Sequence, residues 1–222
     1  MKIKRVIDLT YHLDPEKEQR RLRLIATRTL ENSYSNEYAL EMHAHIGTHV
    51  EGPYHCIKDG KTIDELSPDK FVGEAVVVDL TQKNPEDRAI TKNDLMKAGR
   101  HIKEGDVVLV KTGYDDRFPT GEMQSEEYKS KSPYLTDDAV EWLIGKKIKL
   151  LGIDFWSIEG FPIDPRVGEP RHIMLFKHEI PLIHSLVNLI KLEVNRVFFV
   201  ALPLPISGLD SSPVRAVAME LA

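Results

Sequence analysis

The chain has 222 residues, 41% hydrophobic and 29% charged, with a formal net charge of −5 and a pI near 6.0. That length suits one sizeable core, the composition excludes disordered and fibrous classes, and no basic field is present to neutralise phosphates, so nucleic-acid binding is not expected. The single cysteine, Cys56, excludes an internal disulfide framework and a thiolate zinc site, and the N-terminal segment lacks the apolar stretch of a signal peptide; a cytoplasmic home is the expectation.

In chain order, Arg5–Leu9 is a short β-like run and Leu22–Leu30 suits a partly exposed strand. Over Glu37–His45, Tyr38, Leu40, Met42 and Ala44 alternate with Glu37, Glu41, His43 and His45, which predicts a strand with one apolar face and a second face carrying the two histidines. Glu74–Leu80 and Asp106–Val110 read as buried strands. Between them Ile90–Ala98 reads as a helix with Thr91 as N-cap, Asp94 three residues on and Gly99 as the stop. Arg117–Pro133 is polar and unpatterned and reads as a long surface loop. Thr136–Ile144 repeats the helix grammar before Gly145, and strands follow at Lys149–Ile153, Leu182–Ser185, Arg196–Leu202 and Val214–Met219. Strands first and βα units later imply an α/β fold, a mixed sheet with flanking helices, in one domain over residues 1–222.

His, Asp and Glu are the metal ligands open to a chain without useful thiols. Nine histidines are present, and three of them, His45, His49 and His55, share an eleven-residue window with Glu51. In an extended strand His45 and His49 would stand about 13 Å apart, too far for metal–nitrogen bonds of about 2 Å to one ion. Gly47, Gly52 and Pro53 argue against a helix. A tight turn at Gly47-Thr48 remains, with a second bend at Gly52-Pro53 bringing His55 back to the same cavity. Offset from the core triplet, His55 suits a proton-transfer role beside a metal-activated water, or a fourth ligand position.

The run His45-x-Gly47-Thr48-His49-x-Glu51-x-Pro53-x-His55 resembles the H-x-G-T-H-x-D-x-P-x-H motif of the cyclase family, which includes bacterial kynurenine formamidase and isatin hydrolase. Gly152-Ile153-Asp154 with Ser157, Arg171-His172 with Leu175, and Leu202-Pro203-Leu204 with Ser212-Pro213-Val214-Arg215-Ala216 resemble three further family segments in order. The resemblance implies a swivelling β/β/α domain and a homodimer or homotetramer. It also implies zinc or manganese held by His45, His49 and Glu51, with a possible second ion toward His172, and His55 as the catalytic histidine. Two positions depart from the pattern. Glu51 stands where the family has Asp, and His184 stands twelve residues after His172 where the family has Glu. With His184 the site holds either one ion or a second bound by a histidine-rich set.

The function expected from this resemblance is hydrolysis of a formamide, amide or cyclic amide on a small-molecule substrate. The alternatives are a metal-dependent cyclase, lyase or lactone hydrolase on the same site, and an inactive metal-binding homologue. Ser157 is outside any nucleophile elbow and is expected only as a pocket hydrogen-bonder. Cys56 is expected to be small, buried and turned away from His55. Asp154 is expected to cap a turn, Tyr114, Asp115 and Asp116 to form a solvated turn, and Trp142 to lie in the core. His12, His101 and His178 are expected at the surface, and His43 outside the ligand set.

Overall fold

The computed structural model describes residues 2–118 and 120–222. Thirteen strands and four α-helices follow in chain order: β1 (Ile3–Asp8), β2 (Leu22–Arg28), β3 (Glu37–Met42), β4 (His49–Glu51), β5 (Val72–Asp79), β6 (Ala89–Ile90), α1 (Lys92–Ala98), β7 (Val107–Lys111), α2 (Glu126–Lys131), β8 (Tyr134–Leu135), α3 (Asp137–Gly145), β9 (Leu150–Ile153), α4 (Pro170–Phe176), β10 (Leu182–His184), β11 (Arg196–Val200), β12 (Ser211–Pro213) and β13 (Val217–Leu221). Nine of the strands form one mixed sheet, ordered β1-β13-β11-β5-β7-β9-β10-β4-β12, so the expected mixed α/β architecture is present.

The centre, β5-β7-β9-β10, is parallel. Parallel strands are covered on both faces and therefore read as continuous apolar runs. Val76, Val78, Val108, Val110, Leu151 and Ile153 pack on one face with Leu95 of α1 and Val140 and Leu143 of α3. Ala75, Val77, Val107, Leu109 and Ile183 pack on the other with Val197 and Phe199 of β11. The Thr91 cap forms as expected: its hydroxyl accepts from Asp94 N, and the Asp94 carboxylate accepts in return from Thr91 N at 2.9 Å.

Three expectations need correction. The β2–β3 hairpin forms, but its apolar side chains are not covered: Tyr38 is 56% and Leu40 55% exposed. The two strands pair only with each other, so alternation specified a strand without a core to face. The stretch Arg117–Pro133 is not simply a surface loop. It contains α2, capped by Ser125, and buries Met123 and Tyr128 completely or nearly so; one aromatic in a polar run leaves no periodic signature. Tyr114 and Asp115 are likewise buried rather than solvated, because Asp115 N donates to the carbonyl of Asp154 and its carboxylate accepts from the Tyr128 hydroxyl at 2.6 Å. Asp154 caps the turn after β7, accepting from the backbone N–H groups of Thr112 and Gly113. Trp142 is half-buried at the edge of the core. No helix among the described residues is long and apolar enough to cross a membrane.

Candidate metal centre

The site begins with the turn inferred from the sequence. Gly47 has φ +55°, a left-handed conformation that strains any side chain, and a Cβ there would also displace the end of the Leu13 side chain, 2.8 Å away. The turn throws the chain back from His45 into β4. Side chains alternate along a strand, which puts His49 and Glu51 on one face while Val50 enters the core. The antiparallel neighbour β10 sets His184 directly opposite His49, and their rings stack at 5.2 Å. A short 3-10 turn over Pro53–His55 follows the Gly52-Pro53 bend and returns His55 to the cavity. Helix α4 adds His172, buried beside Leu175 and Phe176.

Glu51 is the hub. Its Oε1 lies 2.7 Å from His45 Nδ1 and 3.2 Å from His49 Nε2. Its Oε2 lies 3.0 Å from His184 Nε2 and 3.5 Å from His172 Nε2. The structure therefore brings together all five residues expected as ligands, in two triplets that share Glu51. Each of the four imidazoles turns its second nitrogen outward to a fixed partner: His45 Nε2 to Asp210 at 2.7 Å, His49 Nδ1 to the Gly47 carbonyl at 2.8 Å, His172 Nδ1 to Glu159 at 2.9 Å, and His184 Nδ1 to the Trp156 carbonyl at 3.0 Å. Histidines that bind metals are held in this way, the outer bond fixing tautomer and ring direction. Burial alone would raise the carboxyl of Glu51, but His184, His45 and His49 outweigh it and hold Glu51 well below the ordinary range. Burial pushes His49 down to about 4, so it presents a neutral imidazole. Buried anionic oxygen surrounded by inward-facing nitrogen lone pairs is a donor set that fits a divalent cation.

His55 is built differently. It is the more open of the imidazoles around Glu51, with 22% side-chain exposure, and carboxylates face both its nitrogens: Asp210 at 2.9 Å from Nδ1 and Glu169 at 3.1 Å from Nε2. Burial lowers its pKa, but Asp210, Cys56 and Glu169 overcome that and push it up to about 12. In return the His55 hydrogen bond brings Glu169 down to about 2. Asp210 is held far below the usual range by His45 and His55 together.

Cys56 departs from expectation. It is only half-buried, and its Sγ approaches Glu169 Oε2 at 3.3 Å, because the 3-10 turn rather than a strand sets its direction. His43 lines the cavity, and its Nδ1 accepts from the backbone of His45. Ser157 also lines the cavity, its Oγ accepting from Glu159 N at 3.2 Å. His12 and His178 are exposed; His101 is half-buried with an unpartnered Nε2. The sequence reading missed Glu159, Glu169 and Asp210. Glu169 stands three residues before His172 and Asp210 two before Ser212, just outside the segments that carried the resemblance, and neither lies in a ligand-spaced pattern.

The cavity over these groups has a volume of about 320 Å3, and Trp156, Met123 and Ile163 add apolar wall. Residues 7–160 match the model of the Cyclase family. This chain belongs to the Cyclase family. Among relatives of this cyclase-family protein, kynurenine formamidase of Bacillus cereus is 30% identical over 187 residues, 84% of this chain and 81% of the relative. That of Salinibacter ruber is 32% identical over 197 residues, 88% and 85% of the two chains. Isatin hydrolase A from Labrenzia aggregata superposes with a TM-score of 0.82 at 25% identity, covering 98% of this chain and 94% of that one.

Proposed function

We propose that this cyclase-family protein is a metal-dependent hydrolase of a non-peptide C–N bond in a small-molecule formamide, amide or cyclic amide, similar to kynurenine formamidase. One observation carries the reading: the two oxygens of Glu51 each meet a pair of imidazoles whose outer nitrogens are anchored. The kynurenine formamidase and isatin hydrolase relatives support the bond type. His45, His49 and Glu51 are the proposed ligands of one divalent ion, and Glu51, His172 and His184 those of a second. Zinc and manganese both suit imidazole and carboxylate. The His184 that replaces a carboxylate keeps the second set complete as nitrogen.

When bound, such an ion polarises the substrate carbonyl and lowers the pKa of water to near neutrality. The remaining steps belong to the chain. Asp210 accepts from His55 Nδ1 and Glu169 from Nε2, which keeps both nitrogens of His55 protonated at the cavity. His55 acts first as the acid: its Nε2 donates a proton to the leaving nitrogen and is then reprotonated by the proton the attacking water releases. Asp210 also accepts from His45, so one carboxylate orients a ligand and the proton carrier together. Trp156 and Met123 give the cavity an apolar lining. Ser157 serves as a hydrogen-bonder to the substrate. The proposed assembly is a homodimer or homotetramer in the cytoplasm, and the exposed Leu24, Ile25, Tyr38 and Leu40 of the β2–β3 hairpin support self-association.

The test is metal analysis and product analysis on the purified protein. We expect about one to two zinc or manganese ions per chain, and net addition of water to formanilide, stopped by chelation and restored by either ion. Full metal occupancy with no hydrolysis of formamides or cyclic amides overturns the reading.

A further inference from the structure

His55, Cys56 and Glu169 converge beside the two triplets that share Glu51. The 3-10 turn over Pro53–His55 ends at Cys56, and Glu169 is the N-cap residue of α4, so a turn and a helix start bring the three together. Glu169 Oε2 lies 3.1 Å from His55 Nε2 and 3.3 Å from Cys56 Sγ. One ligand atom from each of the three falls within 4.8 Å of the others. Zinc bonds of about 2.0–2.2 Å to nitrogen and oxygen and about 2.3 Å to sulfur, at tetrahedral angles, put nitrogen and oxygen about 3.3 Å apart and sulfur and oxygen about 3.6 Å apart. The observed spacings need to open by only roughly 0.3 Å. His55 also has the outer bond that a ligand imidazole requires. With Nε2 toward this point, Nδ1 is anchored on Asp210 at 2.9 Å, as the second nitrogen of each imidazole around Glu51 is anchored. His55 and Glu169 line the cavity, which gives an ion a way in. A single cysteine cannot build a zinc site out of thiolates, yet it supplies one soft donor here, and a thiolate favours zinc over manganese.

We infer that His55, Cys56 and Glu169 form a further, inhibitory zinc site, filled only when zinc exceeds what the Glu51 triplets take up. The inference rests on the hydrolase reading above, in which His55 Nε2 donates a proton to the leaving nitrogen. Binding breaks the S–H bond of Cys56 and the N–H bond of His55 Nε2, releases both protons to solvent, and forms one Zn–S, one Zn–N and one Zn–O bond. Water completes the tetrahedron. The imidazole then has no proton to give, and turnover stops with the Glu51 centre still loaded. The site fills after that centre because both protons must be displaced.

The test adds excess zinc, in a buffer free of thiols, to protein whose Glu51 centre is already loaded with zinc, and follows hydrolysis of formanilide. Wild type is expected to lose most of its rate as zinc rises, and to keep it when manganese is raised to the same level. In Cys56→Ala the half-inhibiting zinc concentration should rise about 10- to 100-fold or more, since losing even an outer partner of a ligand weakens metal binding that much. Because each variant is judged against its own rate without excess zinc, a general loss of activity does not mimic the effect. Cobalt reads the site without turnover. Cys56 is the single cysteine of the chain, so a thiolate-to-cobalt charge-transfer band, on titrating cobalt into the zinc-loaded protein, reports this site alone. The band should vanish in Cys56→Ala and weaken in Glu169→Gln. Absence of the band in wild type, a band without loss of rate, or zinc inhibition that survives Cys56→Ala overturns the inference and leaves the hydrolase reading standing. A cysteine-dependent band on fully loaded protein that hydrolyses no formamide or cyclic amide supports the metal site and overturns the hydrolase reading instead.

Discussion

Glu51 and Asp115 are both buried carboxyl groups, 5% and 0% exposed, yet their surroundings act in opposite directions. Around Glu51 four imidazoles point inward, and three of them, His184, His45 and His49, hold its pKa well below the usual range despite burial. Around Asp115 burial raises the pKa and Asp154 and Asp116 add to it, the Tyr128 hydroxyl opposing without prevailing. Asp154 itself is pushed up by burial to about 7. One region is built to keep a negative charge in a dry place, which is what a cation site requires. The other raises the pKa of its acids, which is what burial in a core without cationic partners does. Burial alone separates neither from the other; the charge and aim of the neighbours do.

The contrast can be broken at several points. The largest effect is expected at its centre. Glu51→Gln removes the anionic oxygen shared by both triplets, and we expect loss of bound metal and a fall in turnover of about a thousandfold or more, measured by mass spectrometry of metal content beside kinetics. Metal occupancy equal to wild type would contradict the hub role. Next is His55→Ala. Since both His55 nitrogens face carboxylates outside the two triplets, metal content should hold while kcat falls about a hundredfold; loss of metal instead would reassign His55 as a ligand. A weaker effect is expected one step out. Glu159→Gln leaves His172 without its anionic partner and should weaken metal binding about 10- to 100-fold, read by competition with a chromogenic chelator.

The smallest effect belongs to the other region. An acid whose folded pKa is raised binds its proton more tightly when folded, so its contribution to stability falls as pH rises above the unfolded value of about 3.9. For Asp154 that window runs from about 4 to about 7. Asp115→Asn keeps the acceptor for the Tyr128 hydroxyl and removes the ionisable group. Thermal melts of wild type and variant should differ least at about pH 4, with the variant gaining on wild type as the pH rises to about 8. An unchanged difference between the two pH values would show that Asp115 is not held neutral.

Much of this was legible in the chain itself. The Gly47 turn, the Gly52-Pro53 bend and the offset of His55 followed from spacing and backbone chemistry, which are local. The valine-rich β5 and β7 declared themselves because a strand covered on both faces must be apolar throughout. Tyr128 did not, since one buried aromatic among polar neighbours has no period to detect. Asp210 and Glu169 did not, because a carboxylate's partner is set by which loops meet in space, at separations of 155 and 114 residues from His55.

The segment from His45 to His55 thus specified by itself a bent, ligand-rich loop with one histidine set apart. It did so because turn-forming glycine and proline act over a few residues. Whether that loop formed half a site or a whole one was decided by tertiary structure. The pairing of β4 with β10 set His184 beside His49, α4 delivered His172 to the second oxygen of Glu51, and the loop before β12 placed Asp210 between His45 and His55. Those placements depend on sheet register and helix packing, long-range constraints that no local pattern encodes.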